Sequence, residues 1–301
     1  MDAVGRENLR GIAFMVAGVG TFALMDGGLK WLAPHYPPMQ VAALRGLSSL
    51  PLVLAWVVAT GGLGAVLRVR WRLHLLRGVL AIVMLACFAW ALRHLPLGEA
   101  YAIFFVAPLL ITALAGPLLG ERVGATRWTA IGLGLAGVLV VLRPSAASVS
   151  LWPGLAMLFA ATAYALSALT VRVLGRTDST QSMVFWMVTM LSVGATALAA
   201  PTWIPIRSVD WPVLAGIAVT GAVGQWAITE AFRRGEAAVV APLEYTALAW
   251  GLGLDWAFWS TAPNARTLLG ALIVVAAGVY LIRNERRAQA TAPPSPPDPA
   301  L

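Results

Sequence analysis

Apolar residues occur in ten runs along the chain, each close to the length that crosses a lipid bilayer. A helix that rises about 1.5 Å per residue needs roughly 20 apolar residues to span the hydrocarbon core. The segments between the runs are too short to hold a soluble domain. The pattern predicts an all-α integral membrane protein with ten transmembrane helices, at residues 9–33, 37–59, 73–93, 97–120, 125–142, 151–172, 180–200, 211–233, 236–260 and 266–283.

The basic residues predict the orientation of these helices. Fifteen of the 21 Lys and Arg residues fall on one side of the membrane, five fall on the other, and Arg45 lies inside the second run. Loops that are rich in Lys and Arg remain in the cytoplasm. We therefore expect a multi-pass protein of the cytoplasmic (inner) membrane with both termini in the cytoplasm.

The two halves of the chain repeat each other. Each half holds five runs, so the second half enters the membrane from the opposite face, and the pair forms an inverted-topology repeat. We expect one repeat over residues 1–145, a second over 146–287, and a Pro-rich, disordered cytoplasmic tail over 288–301. The matches are 98–100 with 235–237, 137–138 with 278–279, and 22–32 with 164–174.

Composition and motifs exclude several classes of protein. With 59% hydrophobic and 11% charged residues, the chain cannot cover the surface of a soluble enzyme. The net charge of +8 is spread between the runs and forms no basic stripe for nucleic acid. Cys87 is the single cysteine, so no intrachain disulfide forms. Phosphate-loop and HExxH zinc motifs are absent, so we expect no enzyme activity, metal or cofactor.

Two segments carry a resemblance to a known family. The sequence LPLGEAYAIFFVAPLLITALAGPLLGERV in the fourth run and APLEYTALAWGLGLDWAFW in the ninth resemble the EamA-type branch of the drug/metabolite transporter superfamily. The tyrosine pattern of the second half is most similar to the bacterial exporters of aromatic and other amino acids of the YddG type. The resemblance implies a central cavity walled by runs 1, 3, 4, 6, 8 and 9. The ninth run departs from the pattern, because it ends in Trp259-Ser260 instead of Gly-Glu-Arg.

Four polar residues inside the runs are candidates for substrate binding or charge pairing. An ionisable group in mid-membrane costs about 2.5–3.5 kcal/mol and needs a reason to be there. Glu244 is an anchor for an ammonium group, a proton-exchange site, or an acid held by Arg45 or Arg77. Arg45 either meets a substrate carboxylate or pairs with an acid, and Asp26 either pairs with Lys30 or acts in an outer latch. Gln225 suits a zwitterionic ligand or an interhelical hydrogen bond.

Aromatic residues recur at equivalent depths in the two halves. Tyr101 and Phe104 lie in the fourth run, Tyr164 lies in the sixth, and Tyr245 follows Glu244. They line a cavity for an apolar or aromatic group, or pack in the core or against lipid. Pro108 and Pro242 interrupt their runs and are candidate hinges.

The sequence therefore predicts a secondary transporter that exports small metabolites by alternating access. Aromatic and other amino acids are the first candidates for its substrate. The predicted substrate-binding residues are Tyr101, Phe104, Tyr164, Gln225, Glu244 and Tyr245. Glu244, Asp26 and Arg45 are candidates for proton coupling. We expect the lipid bilayer and one small-molecule substrate as partners of a monomer. Two alternatives stay open, which are an exporter of cationic drugs or quaternary ammonium compounds and a membrane-embedded lipid-modifying enzyme.

Overall fold

A computed structural model of the chain describes residues 3–91, 94, 103–142, 151–260 and 265–291. All regular structure in these residues is helical, which confirms the predicted fold class. The α-helices are α1 Ala3–Leu32, α2 Pro38–Ala59, α3 Leu63–Leu67, α4 Trp71–Ala91, α5 Ala107–Leu119, α6 Ala125–Leu142, α7 Leu151–Leu174, α8 Thr180–Ala199, α9 Trp211–Arg234, α10 Ala237–Val240, α11 Thr246–Trp259 and α12 Ala265–Thr291. Short 3₁₀ segments cover Ala200–Thr202, Ser208–Asp210 and Ala241–Tyr245.

The helices account for all ten apolar runs within the described residues. Seven segments are long and apolar enough to cross a membrane, and three shorter apolar helices fall in the fourth, fifth and tenth runs. The short links have recognisable local causes. Ser179 caps α8 by accepting a hydrogen bond from the Ser182 N–H at 3.2 Å, and Gly120 ends α5 with a φ of 73°, which favours glycine.

Two runs that were expected to be single helices are interrupted next to a proline. In the fourth run, Phe104 is helical, a turn covers 105–106, and α5 then starts with Pro108 in its first turn. In the ninth run, the 3₁₀ segment that contains Pro242 separates α10 from α11. Proline has no N–H to donate and its ring clashes with the preceding turn, which explains both interruptions. A hinge at either place stays a prediction.

The packing of the helices relates the two halves. Helix α1 packs along α9, and α7 packs along α4. These are the first and third membrane helices of opposite halves, so exchanging the halves converts one pair into the other. The pairs α2 with α8 and α6 with α12 join equivalent helices and map onto themselves. The contacts therefore have the pseudo-two-fold pattern that a two-repeat membrane protein requires.

The structure corrects the ends of some predicted elements. The short helix α3 lies in a linker where no element was expected. Helix α12 continues to Thr291 and so includes residues 288–291, which were assigned to a disordered tail. The Arg- and Ala-rich sequence before Thr291 has high helix propensity, which explains the extension. The rest of the predicted tail lies outside the described residues.

Candidate functional site

A hydrogen bond between two predicted site residues joins the sixth and ninth runs. The Tyr164 hydroxyl on α7 donates to Oε1 of Glu244 at 2.9 Å, and both residues are partly buried. Glu244 reaches Tyr164 from the 3₁₀ segment that interrupts the ninth run. No basic side chain lies within 4 Å of the Glu244 carboxyl in the part of the chain that the structure describes. A hydroxyl, rather than an arginine, therefore holds this intramembrane acid.

Aromatic rings form a wall beside this pair. The ring of Phe104 lies 5.7 Å from that of Tyr164, and Phe88 on α4 contacts Phe104 edge-on at 5.4 Å. Edge-to-face and tilted pairs at such distances are favourable arrangements of aromatic quadrupoles. Phe104 was predicted from the sequence, whereas Phe88 was missed because it lies in a uniformly apolar run. Tyr101, the other predicted aromatic of the fourth run, lies outside the described residues.

Two arginines surround the same hydroxyl at longer range. Arg45 on α2 and Arg77 on α4 both lie within electrostatic range of Tyr164. The Arg45 guanidinium carbon is 5.0 Å from the centroid of the Phe22 ring, and its electrostatic partner on α1 is Asp26. The pairing of Asp26 with Lys30 stays a prediction.

Gln225 lies in a small recess that also contains Arg45. Its amide nitrogen donates to the Thr229 hydroxyl at 3.4 Å, one turn along the same helix. The recess has a volume of about 10 Å³, which is room for about one water molecule. Ligand cavities usually measure about 300–1,000 Å³. Helices α1, α2, α8 and α9 must therefore separate before a metabolite fits there. The lining residues are Phe22, Arg45, Gly46, Ser49, Val188, Leu191, Gly221 and Gln225.

A larger cavity lies away from these charges. It measures about 800 Å³, opens laterally between α4 and α7, and is lined by Trp90, Trp152, Leu155, Ala156, Leu158, Phe159 and Thr162. The described residues that line it contain no charged side chain, and their polar groups are the Thr162 hydroxyl and the indole N–H groups of the two tryptophans. The smaller recess and the Tyr164–Glu244 pair therefore define the candidate site, since they contain the groups that can recognise a polar ligand.

Tyr245 faces away from the candidate site. Its hydroxyl donates to the carbonyl oxygen of Phe105 at 3.0 Å, its ring packs against Gly134, and 1% of the residue is exposed. Successive residues of a 3₁₀ helix point about 120° apart. Glu244 and Tyr245 therefore cannot both face the same cavity. In this structure Tyr245 packs between the fourth, fifth and ninth runs, and its assignment to substrate binding stays a prediction.

The predicted cytoplasmic side of the site is closed by polar contacts between the two halves. The buried carboxylate of Glu121, which follows α5, accepts hydrogen bonds from the N–H groups of Ala237 at 2.9 Å and Ala238 at 3.0 Å. It also pairs with Nε of Arg172 at 3.2 Å. Arg127 pairs with Glu236 beside it. These contacts tie the end of the fourth run to the beginning of the ninth.

A second buried polar contact lies on the same side. Asp178, in the link between α7 and α8, accepts hydrogen bonds from the Thr177 hydroxyl at 2.7 Å and the Arg70 N–H at 3.1 Å, and it contacts Nε2 of His74 at 2.9 Å. Burial by itself would raise the pKa of Asp178, but these hydrogen bonds outweigh it and hold the pKa below its ordinary value.

The opposite side is also closed in the described residues. The Tyr36 hydroxyl, in the link after α1, donates to Asp210 at 2.6 Å, and Arg207 pairs with the same carboxylate at 2.8 Å. Gln40 exchanges two hydrogen bonds with the backbone of Ile204. These contacts join the first half to the α8–α9 link, so the helices around the recess are held together from both ends.

Within the described residues, the site shows no arrangement suited to a metal. The described residues contain no group of three or more His, Cys, Asp or Glu side chains that could hold an ion. Arg77 was considered from the sequence only as a possible partner of Glu244, because it was counted among the cytoplasmic charges of the third run.

Comparison with solved structures supports the architecture. A protein of known crystal structure superposes with a TM-score of 0.78 at 20% sequence identity, over 94% of this chain and 99% of the other. At this identity the likeness concerns the fold.

Curated relatives match over almost their whole length. A riboflavin transporter of Vibrio cholerae is 27% identical over 95% of this chain and 97% of its own. The pseudopaline exporter CntI of Pseudomonas aeruginosa is 27% identical over 92% and 97%, and an S-adenosylmethionine uptake transporter of Rickettsia prowazekii is 24% identical over 97% and 98%.

Fold, intramembrane polar site and relatives together define a multi-pass membrane transporter of small metabolites. The model of the EamA-like transporter family matches residues 9–143 and 151–283, so the chain belongs to that family. Its members and the named relatives are transporters, which confirms that this protein is not an enzyme. The relatives are named after riboflavin, pseudopaline and S-adenosylmethionine. The finer resemblance to aromatic amino-acid exporters therefore rests on the sequence motifs alone.

Proposed function

We propose that this protein is an alternating-access exporter of small metabolites that combine an aromatic ring with charged groups, aromatic amino acids first. The observation that carries the proposal is the Tyr164–Glu244 hydrogen bond beside Phe104. It places an acid and an aromatic wall at one point inside the membrane. An ammonium group can bind the carboxylate while an aromatic side chain packs on the rings.

The names of the relatives favour a substrate that contains an aromatic ring system, and one of them, S-adenosylmethionine, also carries charged groups. Riboflavin contains a fused aromatic ring system, and S-adenosylmethionine contains an adenine ring together with an amino-acid group. The relatives include both uptake and export proteins, and alternating access is reversible, so the outward direction rests on the family resemblance in the sequence.

Transport requires that the two closed ends open in turn. The recess of about 10 Å³ holds no metabolite, and contacts such as Glu121 with Ala237 and Tyr36 with Asp210 close its two ends. Opening one set at a time would expose the site to one side of the membrane. The interruptions at 105–106 and Ala241–Tyr245 are where we expect the fourth and ninth runs to bend. Energy then comes from the solute gradient or from protons taken up at Glu244.

Counterflow in proteoliposomes tests the proposal. Vesicles that hold folded protein are preloaded with unlabelled tryptophan, labelled tryptophan is added outside, and accumulation is followed with and without a pH gradient. We expect accumulation with the wild type, a loss of at least tenfold with Glu244→Gln, and wild-type rates with Glu7→Gln, which changes an exposed acid. If tryptophan accumulation by the wild type depends on the pH gradient and this dependence disappears in Glu244→Gln, proton coupling is assigned to Glu244.

A cationic substrate is the competing function, and Glu244 among aromatic rings is the observation that favours it. Two arginines near Tyr164 oppose it, because they repel a ligand that carries only positive charge. Accumulation of a labelled quaternary ammonium compound, without accumulation of any aromatic amino acid, would overturn our proposal in favour of this alternative.

A further inference from the structure

Arg77 is a buried cation whose hydrogen-bonding capacity is largely unused. It lies on α4 with 5% of its surface exposed. A guanidinium has five N–H donors, yet its one acceptor in the described part of the chain is the carbonyl oxygen of Met183, which binds Nη1 at 3.0 Å. Its Nε is buried without a partner.

Other partly buried arginines of this protein are paired with acids. Arg172 pairs with Glu121, and Arg234 pairs with Glu230 and Glu7. Among the described residues no carboxylate lies within 4 Å of Arg77. A buried charge without a counterion is strongly disfavoured, and the free N–H groups of a planar guanidinium match a carboxylate in a two-pronged geometry. The surroundings of Arg77 therefore lack an anion.

The position of Arg77 links it to the candidate site. It lies six residues after Trp71, about 9 Å from the predicted cytoplasmic end of α4. Helix α4 packs along α7, and Arg77 is within electrostatic range of the Tyr164 hydroxyl that holds Glu244. The nearest titratable group on its own helix is His74, which is bonded to Asp178 and so turned to another partner. A cation and an acid thus flank one tyrosine.

We propose that Arg77 binds the carboxylate of the transported metabolite as it enters from the predicted cytoplasmic side. The substrate's ammonium group then lies toward Glu244 and its ring toward Phe104. This inference deepens the proposed function and rests on it for the identity of the substrate. It defines the substrate class as aromatic metabolites with a free carboxylate, and it makes Arg77 a specificity-determining residue.

Thermal-shift titration of purified protein tests carboxylate recognition without transport. The probes are indole-3-acetate and its neutral isostere indole-3-acetamide, with sodium acetate as a carboxylate that has no ring. We expect the wild type to bind indole-3-acetate more tightly than the amide, and acetate only weakly. Arg77→Gln should weaken indole-3-acetate roughly ten- to hundredfold, the equivalent of losing charge-assisted hydrogen bonds, and leave the amide unchanged. Arg72→Gln, an exposed arginine on the same helix, should behave as the wild type.

Arg77→Lys provides a second variant if the glutamine variant does not fold. Lysine keeps the charge but loses the two-pronged geometry, so we expect a smaller preference for the carboxylate over the amide. Equal binding of the two indole probes by the wild type, or an unchanged preference in both Arg77 variants, would overturn the inference. Acetate that stabilises the wild type as much as indole-3-acetate would also overturn it, because the site would then hold any small anion.

The transport assay separates this inference from the proposed function. If tryptophan counterflow persists in Arg77→Gln with an unchanged KM, the transport function stands and the role of Arg77 is wrong. If no aromatic amino acid is transported but the carboxylate preference depends on Arg77, the anion site stands and the substrate of the proposed function is wrong.

Discussion

Replacing Glu121 with glutamine should open the predicted cytoplasmic side of the protein. The Glu121 carboxylate is 5% exposed and accepts three hydrogen bonds, from the N–H groups of Ala237 and Ala238 and from Arg172. A glutamine has one carbonyl oxygen, and its amide group is a donor that faces another donor. At least one backbone N–H therefore loses its partner, and the remaining contacts lose their charge.

The free-energy cost follows from these contacts. A hydrogen bond to a charged group contributes about 1.5–3 kcal/mol, and an unsatisfied buried donor costs about 1–3 kcal/mol. In a conformation with this side open, water satisfies either side chain, so the loss falls on the closed form. A differential cost of about 2 kcal/mol would raise the open population roughly 30-fold.

Cysteine labelling can measure this change, because Cys87 is the single native cysteine. In a Cys87→Ala background, Ser167→Cys places a nearly isosteric reporter at a position that is 5% exposed on α7. We expect Glu121→Gln to raise the rate of modification by a membrane-impermeant maleimide about 30-fold when the reagent is added to inside-out vesicles. Glu7→Gln is the matched control, since the Glu7 side chain is 37% exposed and its ion pairs with Arg10 and with the partly buried Arg234 are screened by water, so each contributes about 0–1 kcal/mol.

Two results would contradict this reasoning. Equal labelling rates for Glu121→Gln and Glu7→Gln would show that the Glu121 contacts do not hold this side closed. Faster labelling from right-side-out vesicles instead would place this end outside the cell and reverse the predicted orientation.

Three further substitutions have distinct expected outcomes. Tyr164→Phe leaves Glu244 without its hydroxyl donor, so tryptophan counterflow should fall at least tenfold and the free energy of unfolding should fall by about 1–3 kcal/mol. Tyr245→Phe should lower the free energy of unfolding by about 1 kcal/mol and leave the KM for transport unchanged, as expected of a packing residue. Asp178→Asn should lower the melting temperature at neutral pH. Because the pKa of Asp178 is below its unfolded value, this difference is largest above about pH 4 and disappears as the pH falls through the folded pKa.

Several features of the candidate site follow from residue type and depth. Glu244 was identified because an acid inside an apolar run needs a partner, and Tyr164 because aromatic residues recur at equivalent depths in the two halves. The structure joins them by a hydrogen bond. Pro108 and Pro242 predicted that their helices deviate from regular geometry, since a proline removes a backbone donor wherever it occurs, and both helices are interrupted beside them. Local chemistry was sufficient for these residues.

Other features depend on the rotation and neighbours of each helix. Glu244 and Tyr245 are adjacent and were both assigned to the cavity, but the 3₁₀ turn directs one to Tyr164 and the other to the Phe105 carbonyl. In the sequence, Arg77 resembles the arginines that lie at the membrane boundary near the ends of the runs. Its burial and its hydrogen bond to the Met183 carbonyl oxygen result from the packing of α4, α7 and α8.

The bilayer explains this division. It acts on each helix separately, because every span must supply about 20 apolar residues and satisfy its own backbone hydrogen bonds. The length and the number of the spans, and their repetition between the two halves, can therefore be predicted from the sequence. The partner of a buried polar side chain can lie far away in the sequence, as Met183 does from Arg77, and the folded arrangement of the helices selects that partner.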